Sequence, residues 1–197
     1  MQGASDKPSK RSSYGTVSGM KEPESCVVDT CEEPALSGEQ YCFPHLEDQD
    51  QFQQHAVRTI TSKADMTHLV LNGLRLQDHS LRERQMVGTR LGGALLKRVV
   101  FERCHLSLVF LHDAVISHCH FVGCHMSTLI LAGSKISDCL FEDCDMPRCN
   151  FVSASISRTN FVSCDLTSSR FIGGTLRQVT IDDCNLYHTH FELTDVD

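Results

Sequence analysis

Cys149-Asn150-Phe151-Val152-Ser153, Ala154-Ser155-Ile156-Ser157-Arg158 and Thr159-Asn160-Phe161-Val162-Ser163 are three successive groups of five, each with one large apolar residue at its centre. Outward from this stretch the pattern does not slip. Every fifth residue from Met66 to Val196 is apolar, 27 positions in one register. A period of five is neither the 3.6 of a helix nor the 2 of a flat strand. A fixed repeat of this kind marks a solenoid, in which each unit buries its apolar face only against its neighbours.

A second place in each pentad is also restricted. Two residues before the centre stands a small or apolar group, as at Ala94, Cys104, Ala114, Cys124, Ser134, Cys144, Ala154, Cys164 and Gly174. Polar residues crowd the other three places, as in Glu102-Arg103 and Asp182-Asp183. Each pentad therefore turns one large and one small side chain inward and three outward. A longer period of twenty lies over the first: Phe101, Phe121, Phe141 and Phe161 align, and so do Cys104, Cys124, Cys144, Cys164 and Cys184. Twenty residues are four pentads, so one turn has four sides and like residues stack on like. Residues 64–197 would give about seven coils, a rod ~32 Å long at the ~4.8 Å spacing of paired strands.

The units Cys144-Asp145-Met146, Cys149-Asn150-Phe151, Thr159-Asn160-Phe161, Cys164-Asp165-Leu166 and Cys184-Asn185-Leu186 resemble the Ala-Asp/Asn-Leu-x-x unit of the pentapeptide-repeat family. The resemblance covers about two thirds of the chain. It implies an all-β fold, a right-handed quadrilateral β-helix. For function it implies a non-enzymatic protein-binding or scaffold role. Some relatives resemble double-stranded DNA in shape and charge and bind type II topoisomerases, which makes a DNA-mimicking modulator the alternative.

The first coils depart from the pattern. His79 and Arg84 occupy the small inward place, and Leu69, Leu74 and Leu129 are large there. Either these coils are distorted, or Arg84 reaches out to a partner or to the N-terminal segment. An unpaired guanidinium would be too costly to bury.

Ahead of the repeat, residues 1–24 have almost no apolar content and read as a disordered tail. Residues 25–47 hold Cys26, Cys31, Cys42 and His45 in the spacing C-x4-C-x10-C-x2-H. Three thiolates and one imidazole form a tetrahedral set for structural zinc, and a segment so poor in apolar residues needs such a centre to fold. It is similar to short zinc modules that end in Tyr/Leu-Cys-x-x-His. With four protein ligands no coordination position stays open for catalysis. Residues 48–63 carry Phe52, Ala56 and Ile60 on a rough helical stripe and are expected to cover the open first coil.

The net charge is -7, with eighteen basic and 25 acidic side chains. The charge is uneven: residues 64–134 carry 7 basic and 5 acidic groups, and residues 135–197 carry 5 and 10. This balance disfavours a general nucleic-acid surface. A nucleic-acid-associated zinc protein, using the module with Lys7, Lys10 and Arg11, is the remaining alternative. The eleven cysteines are odd in number, most sit at one repeat position, and no secretory apolar segment precedes the repeat. That pattern points to an intracellular, reducing compartment, cytoplasm or nucleus. No run of apolar residues is long enough to span a membrane. The expected partner is a protein, within a larger complex. No nucleophile has a base and an orienting acid around it, no phosphate loop is present, and no catalytic residue is assigned. The repeat cysteines read as compact packing groups. His105, His112, His118, His120, His125, His188 and His190 read as outward-facing.

Overall fold

A computed structural model describes residues 22–196. The tail expected over 1–24 therefore falls, for residues 1–21, outside the described residues. The repeat winds as a right-handed β-solenoid of about six turns with a partial seventh. Residues twenty apart pair in parallel throughout: Phe101 with Phe121, Phe121 with Phe141, Phe141 with Phe161, Ile116 with Ile136, Ile136 with Ile156. Each of the four sides is named here by one of its inward residues. The Ile156 and Phe141 sides are strand-like, with segments such as Lys135–Ser137 and Leu140–Glu142. The Met146 and Phe151 sides are held by single bridges, as in His125 to Asp145 and Ile130 to Asn150.

The square cross-section has a backbone cause. Every residue two places after a centre, from His68 to Leu193, has a positive φ, for example 55° at Asp138, 50° at Asp143, 58° at Arg148, 58° at Ser153 and 46° at Arg158. A left-handed residue costs a non-glycine side chain ~1–2 kcal/mol, least for Asp, Asn and Gly. The sequence places Asp or Gly at many of these corners, including Asp113, Gly123, Gly133, Asp138 and Asp143. Corners also carry ladders of charge. Arg98 grips Asp78 and Arg158 grips Asp138 through paired hydrogen bonds, the second of each 2.8 Å long.

Inside, the aromatic columns stack face on face. Ring centroids of Phe101, Phe121, Phe141 and Phe161 lie 4.7–4.8 Å apart with planes nearly parallel. Phe151 and Phe171 stack at 4.4 Å on the adjoining side and meet Phe161 edge-on. The small inward place does more than leave room. Its thiols and hydroxyls donate to the carbonyl 23 residues earlier: Cys124 to Phe101 at 3.3 Å, Cys144 to Phe121 at 3.3 Å, Cys164 to Phe141 at 3.4 Å, Thr89 to Met66 at 2.7 Å and Ser169 to Met146 at 2.9 Å. These groups turn an otherwise under-used buried acceptor into a satisfied one.

A helix, α1 (Gln49–Ser62), covers the first coil. Asp48 caps its start by accepting from the Gln51 N–H at 2.8 Å, and Phe52, Ala56 and Ile60 are buried against the coil. Gln53 stands in for a missing strand: its amide donates to Gly73 O at 2.7 Å and accepts from the Arg75 N–H at 2.8 Å. Arg84 resolves the irregular start. Its guanidinium donates to Thr61 O at 2.8 Å, in the last turn of α1, and to Lys63 O at 3.0 Å, the residue that caps it. That is the favoured place for a cation on a helix. The first coils are not open. Leu74 is fully buried at the small place, as is Leu129 further along, and residues 75–77 and 79–82 pair with 95–97 and 99–102, interrupted only at the corner Asp78–Arg98. At the far end, Leu176, Val179, Ile181, Phe191 and Val196 line a shallow apolar hollow of about 280 Å³.

Two outcomes test this account. Phe141→Ala removes a fully buried ring between two stacked neighbours and should cost ~3–5 kcal/mol, measured by denaturant unfolding. Arg98 holds the Asp78 carboxyl down to about 2. An Asp whose folded pKa is depressed contributes stability that is present above its unfolded value of ~3.9 and is lost as pH falls through the folded value. NMR titration should therefore find Asp78 ionised down to about pH 2. Arg98→Ala should return its midpoint to the usual carboxylate range and shrink the acid-labile part of the stability.

Candidate metal centre

The N-terminal module builds its site from two short turns. Cys26 and Ser25 lie on a strand-like segment bridged to Pro34, with the Cys26 N–H donating to Glu33 O at 3.0 Å. Thr30, at φ 70°, closes a turn that returns Cys31 toward Cys26. The second turn runs through Gly38, at φ 86°, and is held by Leu36 N–H to Tyr41 O at 3.0 Å. A single 3₁₀ turn, Phe43–His45, then lifts the imidazole over Cys42.

The four side chains converge. The ligand atoms of Cys26, Cys31, Cys42 and His45 all lie within 4.8 Å of one another. His45 Nδ1 is 3.5 Å from Cys26 Sγ and 3.3 Å from Cys42 Sγ, and Cys31 Sγ is 3.7 Å from Cys42 Sγ. A tetrahedral ion with ~2.3 Å bonds to sulfur and ~2.0–2.1 Å bonds to nitrogen sets ligand–ligand edges of ~3.5–3.8 Å. Three of the six donor–donor edges lie close to these values and all fall within 4.8 Å, so the cluster is geometrically able to coordinate a metal. The thiols do not share their protons evenly. Burial pushes the Cys42 thiol up to about 11, reinforced by the thiols of Cys26 and Cys31. At Cys26 burial acts in the same direction. It is outweighed by hydrogen bonds from the Cys42 and Val28 backbone and from His45, which bring the thiol down to about 6. A bound cation would take the place of these competing protons.

The module is fastened to the solenoid next to this cluster. Ser37 N–H donates to Val70 O at 3.0 Å, and its hydroxyl accepts from the Val70 N–H at 2.7 Å. Leu36 is buried in the solenoid's own core. The Phe43 ring lies over Gly73, where a Cβ would come within 2.5 Å of it, and packs on Phe52 of α1 at 6.1 Å. Sequence reasoning found the four ligand-type residues but missed these anchors. Gly73 was the one available signal: a glycine at a corner of the first coil, where contact with another segment leaves no room for a side chain.

The other candidate groups stay apart from metal chemistry. Among the described residues the module holds the one cluster of three or more such donors. His105 and His125 meet edge-on with ring centroids 6.0 Å apart, and His125 Nδ1 lies 3.3 Å from an Asp145 oxygen, on an exposed side. The repeat cysteines are free thiols donating to carbonyls, and burial pushes Cys149 up to about 12.

Residues 114–191 match the family model described as the pentapeptide repeat region. Over those residues the coil carries the pentapeptide-repeat pattern. No curated protein matches the sequence at a significant level. Similar solved structures include a pentapeptide repeat protein of the Arabidopsis thaliana thylakoid lumen, 20% identical, covering 50% of this chain and 69% of that one, with a TM-score of 0.46. Full-length QnrB1, a plasmid-mediated fluoroquinolone resistance protein, is 13% identical over 66% of this chain and 80% of its own, with a TM-score of 0.33. HetL from the cyanobacterium Nostoc, involved in heterocyst differentiation regulation, is 13% identical over 77% and 95%, with a TM-score of 0.23. Among the described residues no helix is long and apolar enough to cross a membrane.

The solenoid and its module make a direct measurement possible. Elemental analysis of the purified chain should find one thiolate-bound metal per molecule, and cobalt substitution should give thiolate-to-cobalt absorption. Cys42→Ser should remove both, while Cys144→Ser in the coil should leave both unchanged.

Proposed function

We propose that this chain is a non-enzymatic protein-binding scaffold that works through the rigid sides of its solenoid, and that its N-terminal module is a structural zinc cap. The observation that carries the first part is the unbroken twenty-residue register. It fixes outward side chains in straight rows ~4.8 Å apart along the axis, on a backbone paired at every coil. Such a surface recognises a partner without first ordering itself, which lowers the entropic cost of association. Zinc is the ion that suits three thiolates and one imidazole in a closed tetrahedron. The ion would supply folding energy to a segment with little core of its own, and would hold Phe43 and Leu36 against the first coil. The free thiols in the module and in the coil favour a reducing compartment.

Affinity capture with the full chain tests the reading, using one pair of substitutions per side. The pairs are Glu142→Lys with Asp143→Lys, Lys97→Glu with Lys135→Glu, Asp145→Lys with Asp165→Lys, and Ile130→Glu with Val152→Glu. All eight side chains point away from the core, so circular dichroism should stay near wild type; Asp165→Lys also removes the acceptor of the Thr167 N–H, and Ile130 and Val152 are half-buried, so those pairs should melt somewhat lower. A stoichiometric protein partner should be retained by most variants and lost with the pair on its own side. A partner set indifferent to all four pairs would remove the scaffold reading.

A further inference from the structure

The charge of the solenoid is sorted by side, and this is invisible in the net value. On the Ile156 side the outward rows and the corner that follows hold Arg75, Lys97, Arg98, Lys135, Arg158 and Arg177. The carboxylates beside them, Asp78 and Asp138, are each clasped by an arginine one coil on. Asp195 stands only at the far end of the row, beside Thr175. Arg75, Lys97, Lys135 and Arg177 have no ion-pair partner among the described residues. Between Lys97 and Arg177 lie the hydroxyl groups of Ser117, Ser137 and Ser157, with Ser155 and Thr175 beyond Lys135 in the other row; between Arg75 and Lys135 stand the exposed apolar Leu95 and Val115. The next side round the corner, the Phe141 side, is the reverse. It carries Glu83, Glu102, Glu142, Asp143, Asp182 and Asp183, relieved only by Arg82 and Arg103, which lie near Glu83 and Glu102.

We infer that the Ile156 side is a docking strip for an extended acidic segment of a partner protein. The inference rests on the scaffold reading above and names the side and the chemistry it would use. The strip is flat and one pentad wide, and its rows run along the rod. Arg75 and Lys135 are three coils apart in one row, ~14 Å, and Lys97 and Arg177 are four coils apart in the other, ~19 Å. An extended chain returns a side chain to the same face every ~6.7 Å, so two and three such steps span ~13 and ~20 Å. Acidic residues at alternate positions thus come into register with both cation rows. The serine and threonine hydroxyls lie under the peptide backbone as donors and acceptors. The neighbouring acidic side keeps the segment from wandering round the corner, a repulsive contribution to specificity. The same border disfavours a nucleic-acid duplex. Such a duplex is about twice as wide as the strip and would bring its phosphates onto Glu102, Glu142 and Asp143.

The test uses the full chain and a fluorescein-labelled peptide of alternating Glu and Ser, read by anisotropy at low and at physiological salt. Saturable binding is expected, weakening steeply as salt rises. Lys97→Glu with Lys135→Glu should weaken it by about tenfold or more, since two attractions become repulsions. Lys97→Arg with Lys135→Arg should keep it, and Arg103→Glu on the acidic side should leave it unchanged. Absence of peptide binding at low salt, or equal binding by the Lys97→Glu, Lys135→Glu chain, would overturn the assignment. So would a DNA duplex that binds more tightly than the peptide. If the peptide fails while captured partners still depend on another side, only this assignment falls. If capture also ignores every side, the scaffold reading falls with it.

Discussion

Each inward side chain rests on the one twenty residues away, and the rest of the molecule depends on that contact. The stacking of Phe101, Phe121, Phe141 and Phe161 at 4.7–4.8 Å matches the spacing of paired backbone strands. Apolar burial and main-chain hydrogen bonding are therefore satisfied by the same translation, and neither has to yield to the other. The cost falls on the corners, where a left-handed residue is needed in every pentad. A single coil could not bear that cost, because its inward groups would have nothing above or below them. The stack can, and its outward surface becomes rigid as a by-product.

The periods of five and twenty were legible because burial leaves a record at every repeat. So was the meeting of Cys26, Cys31, Cys42 and His45, since thiol and imidazole types in a poorly apolar segment have few other uses. The corner conformation was only half written. Asp and Gly are common there, but Arg148, Arg158 and Leu193 adopt it too, because the stack imposes it on whatever residue stands in that place. Cys124 and Cys144 looked like small packing groups. Their role as donors to Phe101 and Phe121 depends on the offset between neighbouring coils, which no single-chain pattern reveals. Arg84 was half legible: a contact with the N-terminal segment was one of the two readings its place allowed, and its acceptors are Thr61 O and Lys63 O. Gln53 was illegible, because it answers backbone groups from a different element.

The start of the solenoid shows how an exposed edge can be closed without another coil. Gln53 offers an amide in place of a strand, α1 supplies the apolar lid, and Arg84 ties the end of the lid back to the second coil. The metal-type cluster sits behind this arrangement rather than within it. Its contribution is transmitted through Phe43 on Gly73 and Phe52, and through Ser37 on Val70. The opposite end has no such closure among the described residues, and Ile181, Leu186 and Phe191 are more open there than their counterparts further in.

Because each corner turns the chain by a quarter circle, insertions and deletions act on this molecule as rotations. Losing twenty residues from the middle would shorten the rod by one layer and leave every downstream column where it was. Losing five would swing everything beyond the lesion through ninety degrees, carrying the glutamates to where the serine-lined row had been. Length in this architecture can drift only in whole layers if the compass bearings of its surface are to survive.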